Sequence, residues 1–578
     1  MAGPTAPKDP EKARPFFYIL KDKDIFGERQ KDGTGIQFIY ESDGRLINSA
    51  QITGNVTDKE ELRLLETVEG FGRLVHSIGV SVETDRPEET AEFVFQMYGK
   101  KDLYGGGTNL TTSLKCDGME HRIYLSDYRW TEDDHVPGQI KILFAAPERM
   151  GKVSVRLFLN DGYEAPPEEE DLVIDMHSEE YCGMISRSLL QMGNPYRVRK
   201  AIEKSKAGKE VTLAYIGGSI TQGAGAIPIH TECYAYKSFQ LFQNRFSTQN
   251  NVRFIKAGVG GTPSELGMIR FDRDVLREGE RPDIVVIEFA VNDEGDETKG
   301  VCYESLVRKV LKLPWKPAVV LLFSVFANDW NLQERLRPVG DLYDLPMVSI
   351  RDAVTPQFSL KCGEGRILSK NQFFYDIFHP NNTGHTIMAD CLQYLFERCD
   401  AAEPARVGTF VEGMTEEQIL SEKLSGPAVI GADFERIFLL DKKNRYVGAK
   451  IRAGSFTSTD IELQSVEMDG NLTQTPEFPY NWMYDGSRPQ MAGFEMEIIC
   501  KSLFLIFKDS GETDVGKANV FVNDVYCMTA DPHKNNWLHC NAVLLFWETE
   551  SRSHKVRIAV TEEDRNKKFT ILGFGYTI

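Results

Sequence analysis

The chain has 578 residues, 41% of them hydrophobic and 26% charged, and its formal net charge is -19. That length exceeds one hydrophobic core and points to roughly two to four domains. The negative surplus argues against nucleic acid and anionic membrane as partners, because both would be repelled, and no apolar run reaches the roughly 18–20 residues that span a bilayer.

Residues 1–15, MAGPTAPKDPEKARP, read as a flexible leader without a basic-then-apolar export pattern, so a cytoplasmic location is expected. The ten cysteines are scattered from Cys116 to Cys540, with no C-x-x-C pair and no Cys/His cluster at zinc spacing. They read as reduced, buried small hydrophobes, and no metal site is expected. From 16 to 178, short alternating runs such as GIQFIY, SIGVSVET, QIKILFA and VSVRLFLND are separated by Gly, Asp, Asn and Pro. This spacing predicts a β-sandwich or jelly roll, ending in the charged, proline-bearing connector that starts at Glu164.

Between 179 and 402 the texture changes to helical patterns alternating with near-continuous apolar runs: VTLAYI, VRFIKAG, DIVVIEFAVND, AVVLLFSVF and LPMVSI. Such alternation predicts an α/β fold with a parallel sheet covered on both faces. From 403 to 578 the β texture returns, with SLFLIFKD, ANVFVND, KVRIAV and FTILGFGY, and predicts a second sandwich.

In an open parallel sheet, ligands bind outside the carboxyl ends of the strands. Four polar blocks fall at those ends: Gly217-Gly218-Ser219-Ile220-Thr221, Gly258-Val259-Gly260-Gly261-Thr262, Ala290-Val291-Asn292-Asp293 and Asp376-Ile377-Phe378-His379-Pro380. Taken singly, Ser219 reads as a helix cap and Asn292-Asp293 as turn residues. Taken together they supply what acyl transfer needs: a nucleophile, a base, a group orienting the base, and oxyanion donors. Ser219 is the candidate nucleophile, His379 the base and Asp376 the orienting carboxylate. The Ser219 and Gly261 N–H groups and the Asn292 amide are the candidate oxyanion donors.

In this order the blocks resemble the SGNH (GDSL-type) hydrolase family of esterases and lipases. Its four signature residues correspond to Ser219, Gly261, Asn292 and His379, with Asp376 in the family's D-x-x-H-P element. Gly218 stands where the family's G-D-S has aspartate, and Ala290 where its G-x-N-D has glycine. The resemblance covers about 200 residues and implies a flavodoxin-like α/β/α hydrolase domain that forms an acyl-enzyme without any cofactor.

Two flanking β segments resemble the sandwich modules attached to carbohydrate-active esterases, and that resemblance favours O-acetyl removal from plant-type poly- or oligosaccharides as the activity. The alternatives are a lipase, lysophospholipase or arylesterase of the same fold, or an inactive carbohydrate-binding protein. The expected partner is an acetylated oligosaccharide or another ester, with homo-oligomerisation left open. Candidate substrate contacts are His230 and Glu232 after the nucleophile block, Trp330 in a strand-end loop, and Tyr480 and Trp482 in the aromatic cluster FPYNWMY.

Overall fold

The computed structural model describes residues 13–39, 45–101, 105–168, 170–402, 414–470, 474–487 and 492–578. Most of the leader, residues 1–12, lies outside the described residues.

The N-terminal part is built from two antiparallel sheets of four and five strands. Their inward residues, among them Ile19, Ile78, Val155, Phe93 and Ile140, share one core. Three short helices, Arg45–Ile52, Lys59–Leu64 and Val68–Leu74, interrupt a stretch that the sequence pattern assigned to strands. Their start signals are ordinary caps: the Asp58 carboxylate accepts from Glu60 and Glu61 N–H, and the Thr67 hydroxyl from Gly70 N–H.

The middle part is a six-stranded sheet: β1 (Leu189–Gln191), β2 (Val211–Gly217), β3 (Val252–Gly258), β4 (Ile284–Glu288), β5 (Ala318–Phe323) and β6 (Met347–Ser349). Their order across the sheet is β1-β6-β5-β4-β2-β3; only β1 runs antiparallel to its neighbour. Alternate residues enter two different cores. Leu213, Tyr215, Val286 and Val320 face one side, and Ala214, Ile216, Ile287 and Leu321 the other. This two-sided burial is why the strands read as unbroken apolar runs.

β2 pairs with β3 on one side and β4 on the other, so the chain reverses its direction across the sheet at β2. That reversal opens a crevice at the carboxyl end of β2, the usual ligand position in a doubly wound sheet.

After helix Glu416–Ser425 the C-terminal part folds as an eight-stranded antiparallel sheet with a separate two-stranded ribbon. Strand Phe494–Asp509 pairs along its length with His539–Val560, while its two halves pair with Ala449–Arg452 and Phe569–Thr577. One face does not close on itself. Phe434, Phe504, Ile506, Cys540 and Leu572 belong to the same core as Leu266, Met268 and Phe289 of the middle part.

All ten cysteines are free, and seven are buried; Cys182 and Cys527 are exposed and Cys362 half-buried, contrary to the expectation of a wholly buried set. Among the described residues, no helix is long and apolar enough to cross a membrane.

Candidate active site

β2 ends at Gly217, and the next residue to enter a helix is Ser219, at the start of the turn Ser219–Gln222. Glycine is required on both sides of the crossing. A Cβ on Gly217 would lie 2.1 Å from Thr221 Oγ1, and one on Gly218 2.2 Å from Asn292 Oδ1. The residue that departs from the G-D-S pattern therefore lets the Asn292 amide pack against the backbone beside Ser219.

His379 arrives from the loop before helix Asn382–Asp400. Its Nε2 lies 3.0 Å from Ser219 Oγ, and its Nδ1 lies 2.9 Å from Asp376 Oδ2. The other carboxylate oxygen, Oδ1, accepts the Phe378 and His379 backbone N–H groups at 2.8 Å each. Asp376 thus fixes both the tautomer of the ring and the turn that carries it. The line from carboxylate to imidazole to hydroxyl has the geometry in which a hydroxyl passes its proton to the ring as it attacks.

The β3 end supplies the facing wall. The Gly260 N–H donates to Gln222 Oε1 at 2.8 Å, whereas the Gly261 N–H meets no acceptor among the described residues. Gly261 has φ +72°, a conformation that disfavours a side chain. A Cβ on Gly260 would lie 3.8 Å from Ser219 Cβ, so this loop flanks the nucleophile turn directly. Asn292 Oδ1 is buried without a hydrogen-bond partner among the described residues.

Below the site lie Arg270 and Glu288, which sequence reasoning did not single out, and Asp293, which it read as a turn residue. Arg270 is fully buried and donates to Gly217 O at 2.8 Å and Ala257 O at 2.7 Å, with Asp274 at 3.0 Å as its counter-charge. It fastens the ends of β2 and β3 together. Glu288, the last residue of β4, accepts from Thr221 Oγ1 at 3.1 Å, and burial pushes its carboxyl up to about 7. Asp293 accepts the Ser264 N–H at 2.7 Å and is pushed up to about 8, again by burial. A charged residue at the end of an otherwise apolar strand, as in DIVVIE, was the available signal for Glu288.

His385 is structural. Its Nδ1 accepts the Tyr234 N–H, its Nε2 donates to Ala224 O, and burial pushes it down to about 3.

The candidate substrate contacts separate. Trp330 stacks on Phe326, which meets Phe378 edge-on, and Phe378 lies 6.1 Å from the His379 ring, so an aromatic chain leads to the site. His230 is half-buried on the short helix Ile229–Glu232, where burial and the Lys256 charge hold its pKa down. Glu232 is paired with Lys237 at 2.7 Å.

Tyr480 is exposed beneath Lys443. Trp482 corrects the expectation: it is only 6% exposed, packed on Phe494 and Phe574 in the C-terminal core. The strand Trp482–Tyr484 turns Trp482 and Tyr484 inward, where ring area is best buried.

The exposed ring at the site is another one. Trp537 is 44% exposed and lies against Gly261, where a Cβ would meet its Cζ2 at 2.7 Å. Nothing in the sequence around Trp537 marked it.

Residues 215–387 match the model of the GDSL-like Lipase/Acylhydrolase family. A solved two-domain esterase (CEX) active on acetylated mannans is 24% identical; the match covers 68% of this chain and 98% of that one, with a TM-score of 0.55. The same esterase co-crystallised with mannopentaose gives a TM-score of 0.53 at the same identity and coverage. A family two carbohydrate esterase from Cellvibrio japonicus is 10% identical, covered over 98% of its length by 67% of this chain, with a TM-score of 0.23. No curated protein sequence matches the chain.

The protein is a carboxylic ester hydrolase. Its middle part, the stretch that carries Ser219 and His379, is a GDSL-like lipase/acylhydrolase domain, and the likeness to the two-domain esterase extends the shared fold beyond it.

Proposed function

We propose that the protein removes O-acetyl groups from carbohydrates through an acyl-enzyme on Ser219. The observation that carries this reading is the Asp376–His379–Ser219 line, with hydrogen-bond distances of 2.9 and 3.0 Å, beside the uncommitted Gly261 N–H. His379 takes the Ser219 proton as Oγ attacks the ester carbonyl. The Ser219 and Gly261 N–H groups and the Asn292 amide hold the oxyanion. His379 then protonates the leaving sugar hydroxyl and activates water for deacylation.

Two features support a carbohydrate as the alcohol part. The neighbour with TM-score 0.55 acts on acetylated mannans. A 460 Å³ cleft also lies between the N-terminal sandwich and the loops leading to His379. Its walls mix rings such as Tyr18 and Phe358 with side-chain amides such as Asn48, Gln51 and Asn328. Its charges are largely paired internally, Lys21 with Glu168 and Arg366 with Asp171, which suits a neutral polyhydroxyl ligand.

The test is acetate release from acetylated mannan, xylan and pectin oligosaccharides, with p-nitrophenyl acetate and octanoate alongside, for wild type and Ser219→Ala. Acetate freed from a glycan and lost by ~10³-fold or more in the variant supports the reading. Cleavage of octanoate alone moves the assignment to a lipase-type hydrolase. Activity retained in Ser219→Ala removes the mechanism.

A further inference from the structure

Three of the four backbone polar groups of Gly260 and Gly261 are held by side chains remote in sequence. Gln222 Oε1 accepts the Gly260 N–H, Gln464 Nε2 donates to Gly260 O at 2.9 Å, and His539 Nε2 donates to Gly261 O at 3.1 Å. Gln464 and His539 both come from the C-terminal part. The fourth group is the Gly261 N–H.

A trans peptide is planar, and its C=O and N–H point in opposite directions. Gly260 O and Gly261 N–H belong to the same peptide. Holding the oxygen therefore also sets the direction of the N–H, on a loop where a Cβ on Gly260 would lie 3.8 Å from both Gln464 Nε2 and Ser219 Cβ.

The two braces are themselves fixed. Gln464 Oε1 accepts the Cys540 N–H at 2.9 Å, which settles which end of its amide faces Gly260. His539 Nδ1 lies 3.1 Å from Asp509 Oδ2, a carboxylate that also takes the Asn535 and Asn541 side-chain amides. Gln464 is 8% and His539 7% exposed, so water does not compete freely for these bonds. The foot of the loop is anchored to the same part, where the Lys256 N–H donates to Asp469 Oδ1 at 2.9 Å.

We propose that Gln464 and His539 are positioning residues for ester hydrolysis, holding the Gly261 N–H in the direction from which it donates to the oxyanion formed at Ser219. The proposal rests on the reading of that N–H as an oxyanion donor. It makes the C-terminal part of the chain a contributor to the catalytic apparatus.

The experiment uses the full-length chain. Gln464→Met removes the donor at similar size; His539→Phe removes the second donor, and His539→Gln restores one. Each is assayed for kcat and KM on p-nitrophenyl acetate, with active sites counted by the acyl burst, and for inhibition by phenylboronic acid, whose adduct on serine is tetrahedral.

Removing an oxyanion donor outright costs about 10²–10³-fold in kcat, so a misaimed one is expected to cost about 10–100-fold per active site. KM is expected to stay within about 3-fold, because the interaction is made in the transition state alone. Boronate affinity falls in parallel with kcat, and His539→Gln recovers most of what His539→Phe loses. Should Gln464→Met fold poorly, the two His539 variants carry the same comparison.

The proposal is overturned if kcat per active site stays within about 2-fold of wild type. It is equally overturned if boronate affinity is unchanged while kcat falls. A Ser219→Ala control that keeps its activity would instead overturn the reading of the site on which the proposal depends.

Discussion

The Lys23 ammonium, on the first strand of the N-terminal sandwich, donates to Phe374 O and, at 3.1 Å, to Asn371 O. These carbonyls belong to the turn that leads into Asp376 and His379, so one part of the chain steadies the base-bearing loop of another. Burial pushes Lys23 down to about 8, against the pull of Asp376. Lys23→Met leaves Phe374 O without its donor, while Asn371 O keeps the Asn381 side-chain amide, and is expected to cost about 1–3 kcal/mol in urea unfolding. The unfolded chain holds its proton up to about 10.5, so this group's contribution makes the fold more stable as pH rises from about 8 to 10.5. That slope is expected to vanish in the variant.

Asp376→Asn keeps an oxygen for the backbone N–H groups of Phe378 and His379 but loses the carboxylate that orients the imidazole. The expected outcome is a fall in kcat of about 10³–10⁴-fold with an unchanged melting temperature. Steady-state kinetics beside a thermal melt check both halves. A comparable fall in stability would mean that the carboxylate mainly shapes the turn.

Glu288 offers a test through pH. Its carboxyl is raised from 4.5 to about 7 by burial, so between those values the folded chain keeps a proton that the unfolded chain has lost. Stability therefore falls as pH rises through that window, and the full penalty applies above it. Glu288→Gln is expected to be more stable than wild type at pH 8 by on the order of 1–3 kcal/mol, and equal to it near pH 4. Urea midpoints at the two pH values check the sign.

Arg270→Met withdraws the guanidinium from Gly217 O, Ala257 O and Asp274 at once. An enclosed carboxylate then loses one of its partners, and a cost of about 3–5 kcal/mol is expected. Because both carbonyls lie within a few residues of Ser219 and Gly261, esterase activity should fall even at temperatures where the variant is fully folded. Chemical denaturation and activity measured on the same preparation check this.

Much of this molecule is legible before any coordinates. The β2, β4 and β5 runs are apolar on both faces because both faces are covered, and the polar blocks that interrupt them fall at one edge for the same reason. The short helices between 45 and 74 are not legible in the pattern, although the caps at Asp58 and Thr67 stand in the sequence; helices of about two turns carry too little periodicity to outweigh the strands around them.

Trp482 and Tyr480 show the limit of an aromatic cluster. Which ring faces water depends on strand alternation and sheet pairing, and composition is silent on both. Lys23, Gln464 and His539 were out of reach for a different reason. Their partners lie hundreds of residues away, at 371–374 and 260–261, and a lone polar side chain in a β segment does not announce which carbonyl it will meet.

The shared core between the middle and C-terminal parts has a thermodynamic consequence. Phe504, Ile506 and Leu572 pack with Leu266 and Met268 in one cluster, whereas the N-terminal sandwich keeps a core of its own. Heating should then divide the chain into two cooperative units rather than three: the N-terminal sandwich melts as one, and everything after it as the other. Cutting the chain between the hydrolase stretch and the last sheet would strip apolar surface from both halves, so neither fragment inherits a finished interior.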